Sequence, residues 1–180
     1  MYRVESSKTV YKSQWMEVHE DSVIDEENKQ LGIFNRITVN DATVILPEFE
    51  DGSLLMVENY RHGIRTNLLE LPGGLVNEEK EQPSDAARRE LFEETGYTCD
   101  LLEYVNWFYT WPGRTTQRNF VFFARGLRKM TMQNSGQNHL EDFEYNRVFK
   151  ITREEVLQKI KNGTIKSAIT TSALLHAYFV

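Results

Sequence analysis

The feature that most restricts this chain is the run Gly73-Gly74-Leu75-Val76-Asn77-Glu78-Glu79-Lys80-Glu81, with Arg89-Glu90-Leu91-Phe92-Glu93-Glu94-Thr95-Gly96-Tyr97 close behind it. It begins as a glycine loop and continues as a short helix crowded with glutamates. Pro83 suits a first helical turn, where no N–H is needed. Gly96 stands where a left-handed C-terminal cap belongs. At about 3.6 residues per turn, Glu90 and Glu94 lie one above the other with Glu93 as their flanking neighbour. Like charges at that spacing weaken a helix slightly, and a cation relieves the repulsion. Hard divalent ions take oxygen ligands and keep waters and substrate phosphates in the shell. The glycine pair lets a backbone carbonyl approach the same ion. Taken alone, the carboxylates also allow a solvated helix face.

The spacing of Gly74, Glu81, Arg89-Glu90-Leu91, Glu93-Glu94, Gly96 and Tyr97 resembles the signature of the Nudix hydrolases. That signature runs glycine, five residues, Glu, seven residues, Arg-Glu-aliphatic, one residue, Glu-Glu, one residue, Gly-apolar, and is far more specific than a lone glycine loop. Six residues, not five, separate Gly74 from Glu81 here, whereas the helical half matches without a gap. The strand ending Asn59-Tyr60-Arg61, followed by Leu69-Glu70-Leu71-Pro72-Gly73-Gly74, resembles the branch that cleaves ADP-ribose and nucleoside diphosphate sugars. The likeness is sharpest over residues 70 to 97 and extends over about 40 to 178.

The resemblance implies an α/β fold, an α/β/α sandwich with a mixed sheet over residues 40–180, preceded by an antiparallel β extension over residues 1–39. It implies a homodimer whose N-terminal strands exchange and help cover the nucleotide. Magnesium, or manganese in its place, would be held by Glu90, Glu94 and Glu93 with the Gly73 carbonyl. Arg89 would point to a different face and orient a helix glutamate, through Glu81. A loop carboxylate would act as general base, with Glu141 the first candidate, Glu144 the second and His139 nearby. The expected reaction is hydrolysis of a nucleotide sugar to a nucleoside monophosphate and a sugar phosphate. Arg61 could grip the diphosphate bidentately or form a surface salt bridge. Glu70, Gly74 and Arg65 are the neighbouring substrate-side candidates, and Arg36 could reach substrate from the extension or serve as an edge-strand solubility device. The branch often carries Ser-Pro-Gly and a following glutamate where this chain has Trp111-Pro112-Gly113 and Gln117, so no role is carried over there. Alternative readings within the fold are a dinucleoside polyphosphate, capped RNA or oxidised nucleotide as substrate, or a non-catalytic ADP-ribose-binding regulator.

Composition narrows the surroundings. A chain of 180 residues, 40% apolar and 12% aromatic, supports one packed domain with at most a small appendage. Net charge is −6 with no basic run, so a nucleic-acid surface is not expected. The single cysteine, Cys99, forms no internal disulfide and suits a cytoplasmic protein. Arg3, Glu5 and Lys8 interrupt the start, which argues against a signal peptide. No apolar run is long enough for a membrane span.

Along the chain, residues 9 to 39 have β texture, with Met16, Val18 and Ile24 sharing one parity and Ile33, Ile37 and Val39 another. Asp25 to Lys29 reads as a hairpin loop, and Trp15 and Phe34 are expected in the core or lining a pocket. Val44-Ile45-Leu46 and Leu54-Leu55-Met56-Val57 flank Asp51-Gly52, a hairpin signal. Strands are expected over 101 to 109, 119 to 124 and 147 to 149, with a mobile polar loop at 129 to 138. Two helices follow, at about 151 to 162 and 167 to 179, the first ending on Gly163 and the second turning Ile169, Ala173, Leu174 and Ala177 inward.

Overall fold

The computed structural model describes residues 1–77, 79–130 and 147–179. Nine strands and three helices are seen among them. Strands β1 (Tyr2–Lys12), β2 (Glu17–Asp25) and β3 (Gln30–Thr38) form an antiparallel sheet of their own. The turn between β2 and β3 is built by the Asp25 carboxylate, which accepts from the N–H groups of Glu27 and Lys29, as an Asx turn does. The β2–β3 register shifts between Val23 and Ile24, with Leu31 of β3 as the extra residue, and the consecutive Val23 and Ile24 are both buried. Simple alternation also fails along β3, where Ile33 is exposed although Ile37 is half-buried, and the extra residue disrupts the ladder locally. Met16 lies before β2 and is exposed. Trp15 and Phe34 are 63% and 50% exposed, so the core placement expected for them is corrected. Within the described chain the extension offers too little cover to enclose their rings.

The body contains two further three-stranded sheets. In the first, β4 (Ala42–Pro47) runs parallel to β8 (Arg118–Lys129), which pairs antiparallel with β7 (Tyr97–Tyr109). In the second, β5 (Leu54–Arg61) lies between β6 (Thr66–Glu70) and β9 (Arg147–Ile151). The Asp51-Gly52 turn exists, closed by Phe49 and Ser53, but its flanking strands do not form the expected hairpin. Their only bridge is the isolated Glu48–Leu54 pair among the described residues, before they enter different sheets. Both edges of β4 are already taken, by β8 and by the segment 72–76, whose pairing to β4 includes Thr43 N–H to the Gly74 carbonyl (2.8 Å) and Ile45 N–H to the Pro72 carbonyl (2.9 Å).

Strand alternation sorts the core into two layers. Ile45, Phe122 and Ala124 pack with Ala87 and Leu91 of α1 (Pro83–Thr95). Val44, Leu46, Val121 and Phe123 face the other way, against Val156 of α2 (Arg153–Lys161) and Ala173 and Leu174 of α3 (Ala168–Phe179). This is the expected α/β/α arrangement. The Thr152 capping box starts α2, satisfying N–H groups the first turn leaves unpaired. The extension joins the body where Ile37 N–H donates to the Arg114 carbonyl at 2.7 Å.

Candidate active site

Helix α1 forms because Pro83 opens it, the Asp85 carboxylate accepts from the Gln82 N–H at 3.3 Å, and Gly96 ends it in the left-handed conformation. Its buried side packs Ala86, Ala87 and Leu91 against the sheet, which turns the glutamates toward the glycine segment. Gly73 and Gly74 are required there by close approach. A Cβ on Gly73 would strike the Thr43 carbonyl, and one on Gly74 would strike the Glu90 carboxylate.

Glu94 is 5% exposed, and its carboxylate accepts from the Gly73 N–H at 2.7 Å and from Asn59 Nδ2 at 3.0 Å. Arg89 serves the other carboxylates. Its guanidinium donates to Glu81 (2.8 and 3.2 Å), Glu90 (2.8 Å), Glu93 (2.9 Å) and the Leu75 carbonyl (3.0 Å). The expected link through Glu81 is present, and Arg89 also reaches Glu90 and Glu93 directly rather than pointing away from them. Hydrogen bonding to Arg89 holds the Glu81 carboxyl below its ordinary pKa of 4.5, while these carboxylates, Glu81 first, raise that of Arg89. The additional residue in the loop is absorbed by a turn in which the N–H groups of Lys80 and Glu81 both donate to the Asn77 carbonyl. Glu81 thus still meets Arg89.

The substrate-side candidates are arranged nearby. Glu70, at the end of β6, is buried and accepts from Arg61 Nε at 2.6 Å, so Arg61 is partly held while its side chain stays about half exposed. Arg65 is exposed in the β5–β6 turn with φ +54°. Arg36 belongs to the extension, where its guanidinium donates to the buried Asp21 (2.9 Å) and to Thr38 (2.9 Å). Gln117 donates to the Asn40 carbonyl at 2.7 Å. Glu141, Glu144 and His139, with most of the expected polar loop, lie outside the described residues.

Two buried polar residues were not singled out in the sequence. Asn59 is 4% exposed at the inner end of β5, where only its place beside Tyr60-Arg61 gave a signal. Asp41 is also buried and takes the Arg118 side chain and backbone N–H. It sits immediately before β4 with nothing in the local pattern to mark it.

Glu90, Glu93 and Glu94 with a glycine carbonyl form an oxygen donor set of the kind hard divalent ions take. Gly74 brings the backbone against Glu90 as that role requires. In the arrangement seen, Glu90 and Glu93 are bonded to Arg89 and Glu94 to Asn59 and Gly73. Among the described residues no three acidic, histidine or cysteine side chains converge as metal ligands. The donor chemistry fits such an ion.

A glutamate helix read by an arginine, packed on a glycine segment inside an α/β/α sandwich, defines a class. The NUDIX domain model matches residues 39–167, and the chain belongs to the Nudix family. The ADP-ribose pyrophosphatase of Bacillus subtilis (strain 168) is 31% identical over 133 residues, covering 74% of this chain and 69% of that protein. The GDP-mannose pyrophosphatase of Cronobacter sakazakii is 29% identical over 143 residues, covering 76% and 72%. The crystal structure of an ADP compounds hydrolase superposes with a TM-score of 0.81 at 19% identity, over 98% of this chain and 91% of that one. That last likeness speaks for the fold.

Proposed function

We propose that this protein hydrolyses the pyrophosphate bond of a nucleoside diphosphate sugar, such as ADP-ribose or GDP-mannose, giving a nucleoside monophosphate and a sugar phosphate. The carrying observation is the α1 site, where Glu94 is buried against the glycine segment and Glu81, Glu90 and Glu93 gather on Arg89. Relatives of the family bearing the names ADP-ribose pyrophosphatase and GDP-mannose pyrophosphatase supply the substrate class.

Glu90, Glu93, Glu94 and the Gly73 carbonyl would hold magnesium, with manganese as a substitute. When bound, such an ion neutralises diphosphate charge and lowers the pKa of a water. Arg89 keeps the glutamates in register, a supporting task on which metal sites depend. Arg61, braced by Glu70, offers planar donors to a diphosphate, with Arg65 and the Gly74 backbone beside it. Glu141, or Glu144 in its place, accepts the proton from the attacking water. The extension, residues 1–39, contributes to a homodimer and covers the nucleotide, which gives a purpose to the exposed Tyr2, Val4, Trp15, Ile33 and Phe34. Arg36 would reach substrate only in that setting. No helix among the described residues is long and apolar enough to cross a membrane, and the lone Cys99 suits a cytoplasmic enzyme.

The test is phosphate-ester release from ADP-ribose, GDP-mannose, UDP-glucose, a dinucleoside tetraphosphate and a capped RNA fragment, with and without magnesium. Selective, magnesium-dependent cleavage of the sugar nucleotides is expected. Cleavage confined to the tetraphosphate or the cap would overturn the substrate class. Silence throughout, with ADP-ribose still bound, would make the protein a regulator.

A further inference from the structure

We infer that Asn59 is a positioning residue of this site, which holds the Glu94 carboxylate in its ion-binding orientation from β5; the inference rests on the metal reading above. Asn59 and Glu94 are both more than nine-tenths buried and come from elements 35 positions apart in sequence. A buried carboxylate is stable as an anion only where donors are aimed at it. Two donors to Glu94 are supplied by the Gly73 N–H and the Asn59 amide, one to each oxygen. Both are uncharged, so they fix the carboxylate without bringing a positive charge that would repel a divalent cation.

The orientation of the amide is determined by this pairing. With Nδ2 turned to Glu94, Asn59 Oδ1 is buried without a hydrogen-bond partner among the described residues. Turning the amide over would set that oxygen against the Glu94 carboxylate and remove one of its donors. Leaving a buried acceptor unpaired is destabilising, a cost offset here by the donor that Asn59 gives to the buried Glu94 carboxylate. An asparagine that leaves its own carbonyl unpaired while serving Glu94 is placed for the carboxylate rather than for the fold. Side chains that orient metal ligands commonly change metal affinity or activity 10–100-fold when removed.

The experiment measures manganese binding directly, by electron paramagnetic resonance of the free ion, alongside the melting temperature in chelator. Wild type, Asn59→Leu, Glu94→Gln and Val57→Ala are compared, Val57 being a fully buried neighbour on β5 whose apolar side chain can donate no hydrogen bond to Glu94. Asn59→Leu is expected to bind manganese about 10- to 100-fold more weakly, and Val57→Ala to lower the melting temperature without weakening the ion. If Asn59→Leu does not fold, Asn59→Ser, too short to reach Glu94, carries the same comparison. Wild-type affinity in the Asn59 variant while Glu94→Gln loses the ion would overturn the inference and leave the metal reading standing. Equal weakening in Asn59→Leu and Val57→Ala would also overturn it, as a general loss of packing. Equal affinity in wild type and Glu94→Gln would overturn the metal reading and the inference with it.

Discussion

Strand β1 is exposed at every residue, whereas β4 is buried at all but its first residue and β5 from Leu54 to Val57 and again at Asn59. Both regions are β structure with abundant apolar side chains, yet only the body closes on itself. Its sheets are covered by helices, and the two edges of β4 are paired. The extension buries a short stripe at Asp21, Val23 and Ile24 and leaves Tyr2 stacked on Phe34 near the surface. The difference teaches that apolar content alone does not define a core; a second layer does. Large exposed apolar surface of this kind marks an interaction face, which is why a second copy is proposed for it.

The sharpest contrast comes from the body's site. Glu94→Gln should reduce turnover on the order of a thousandfold, because several kcal/mol of charge stabilisation are at stake. Circular dichroism should show the fold retained, and turnover within tenfold of wild type would break the assignment. Next, Leu46→Ala should cost about 2–5 kcal/mol in urea unfolding, as buried leucines do. Phe34→Ala, in a dilute monomer, should stay within about 0.5 kcal/mol. If Phe34→Ala instead lowers stability in a way that depends on protein concentration, the extension is closed by a partner copy. Gly74→Ala should force the Glu90 carboxylate aside and lower turnover about 10–100-fold, with far less change in melting temperature than Leu46→Ala produces.

The smallest effect is in acid. The Arg36 side chain, and then Ser7, hold the Asp21 carboxyl below its ordinary value of 3.8. A carboxyl with a lowered folded pKa contributes stability that is present above its ordinary value and lost as pH falls through the folded one. Arg36→Leu should therefore lower the melting temperature at pH 6, and the gap to wild type should shrink as pH is taken below 3.8. A gap that is constant with pH would mean that Arg36 acts through packing alone.

Much of this molecule is legible in its sequence. Pro83, the Glu90–Glu94 spacing and Gly96 mark α1 by local chemistry, and each acts within a few residues of itself. The α2 cap at Thr152 is legible for the same reason. The Asp51-Gly52 turn was legible, but the destination of its strands was not, because edge occupancy on β4 is decided by residues 72–76 and β8. Trp15 and Phe34 misled because ring size signals burial only where another layer exists to receive it. Asp41 was silent and Asn59 was legible only as part of Asn59-Tyr60-Arg61: a single buried polar residue has no periodicity, and its partner lies 77 or 35 positions away.

The sequence by itself determined the helix, its caps, its glutamates and the family, since these depend on contacts within about one turn. The tertiary structure alone decided that Arg89 binds three glutamates at once, that Glu94 is buried between Gly73 and Asn59, and that a longer loop still delivers Glu81 to Arg89. Those arrangements join segments that meet only when the two core layers pack, and burial and hydrogen-bond partners come into existence there.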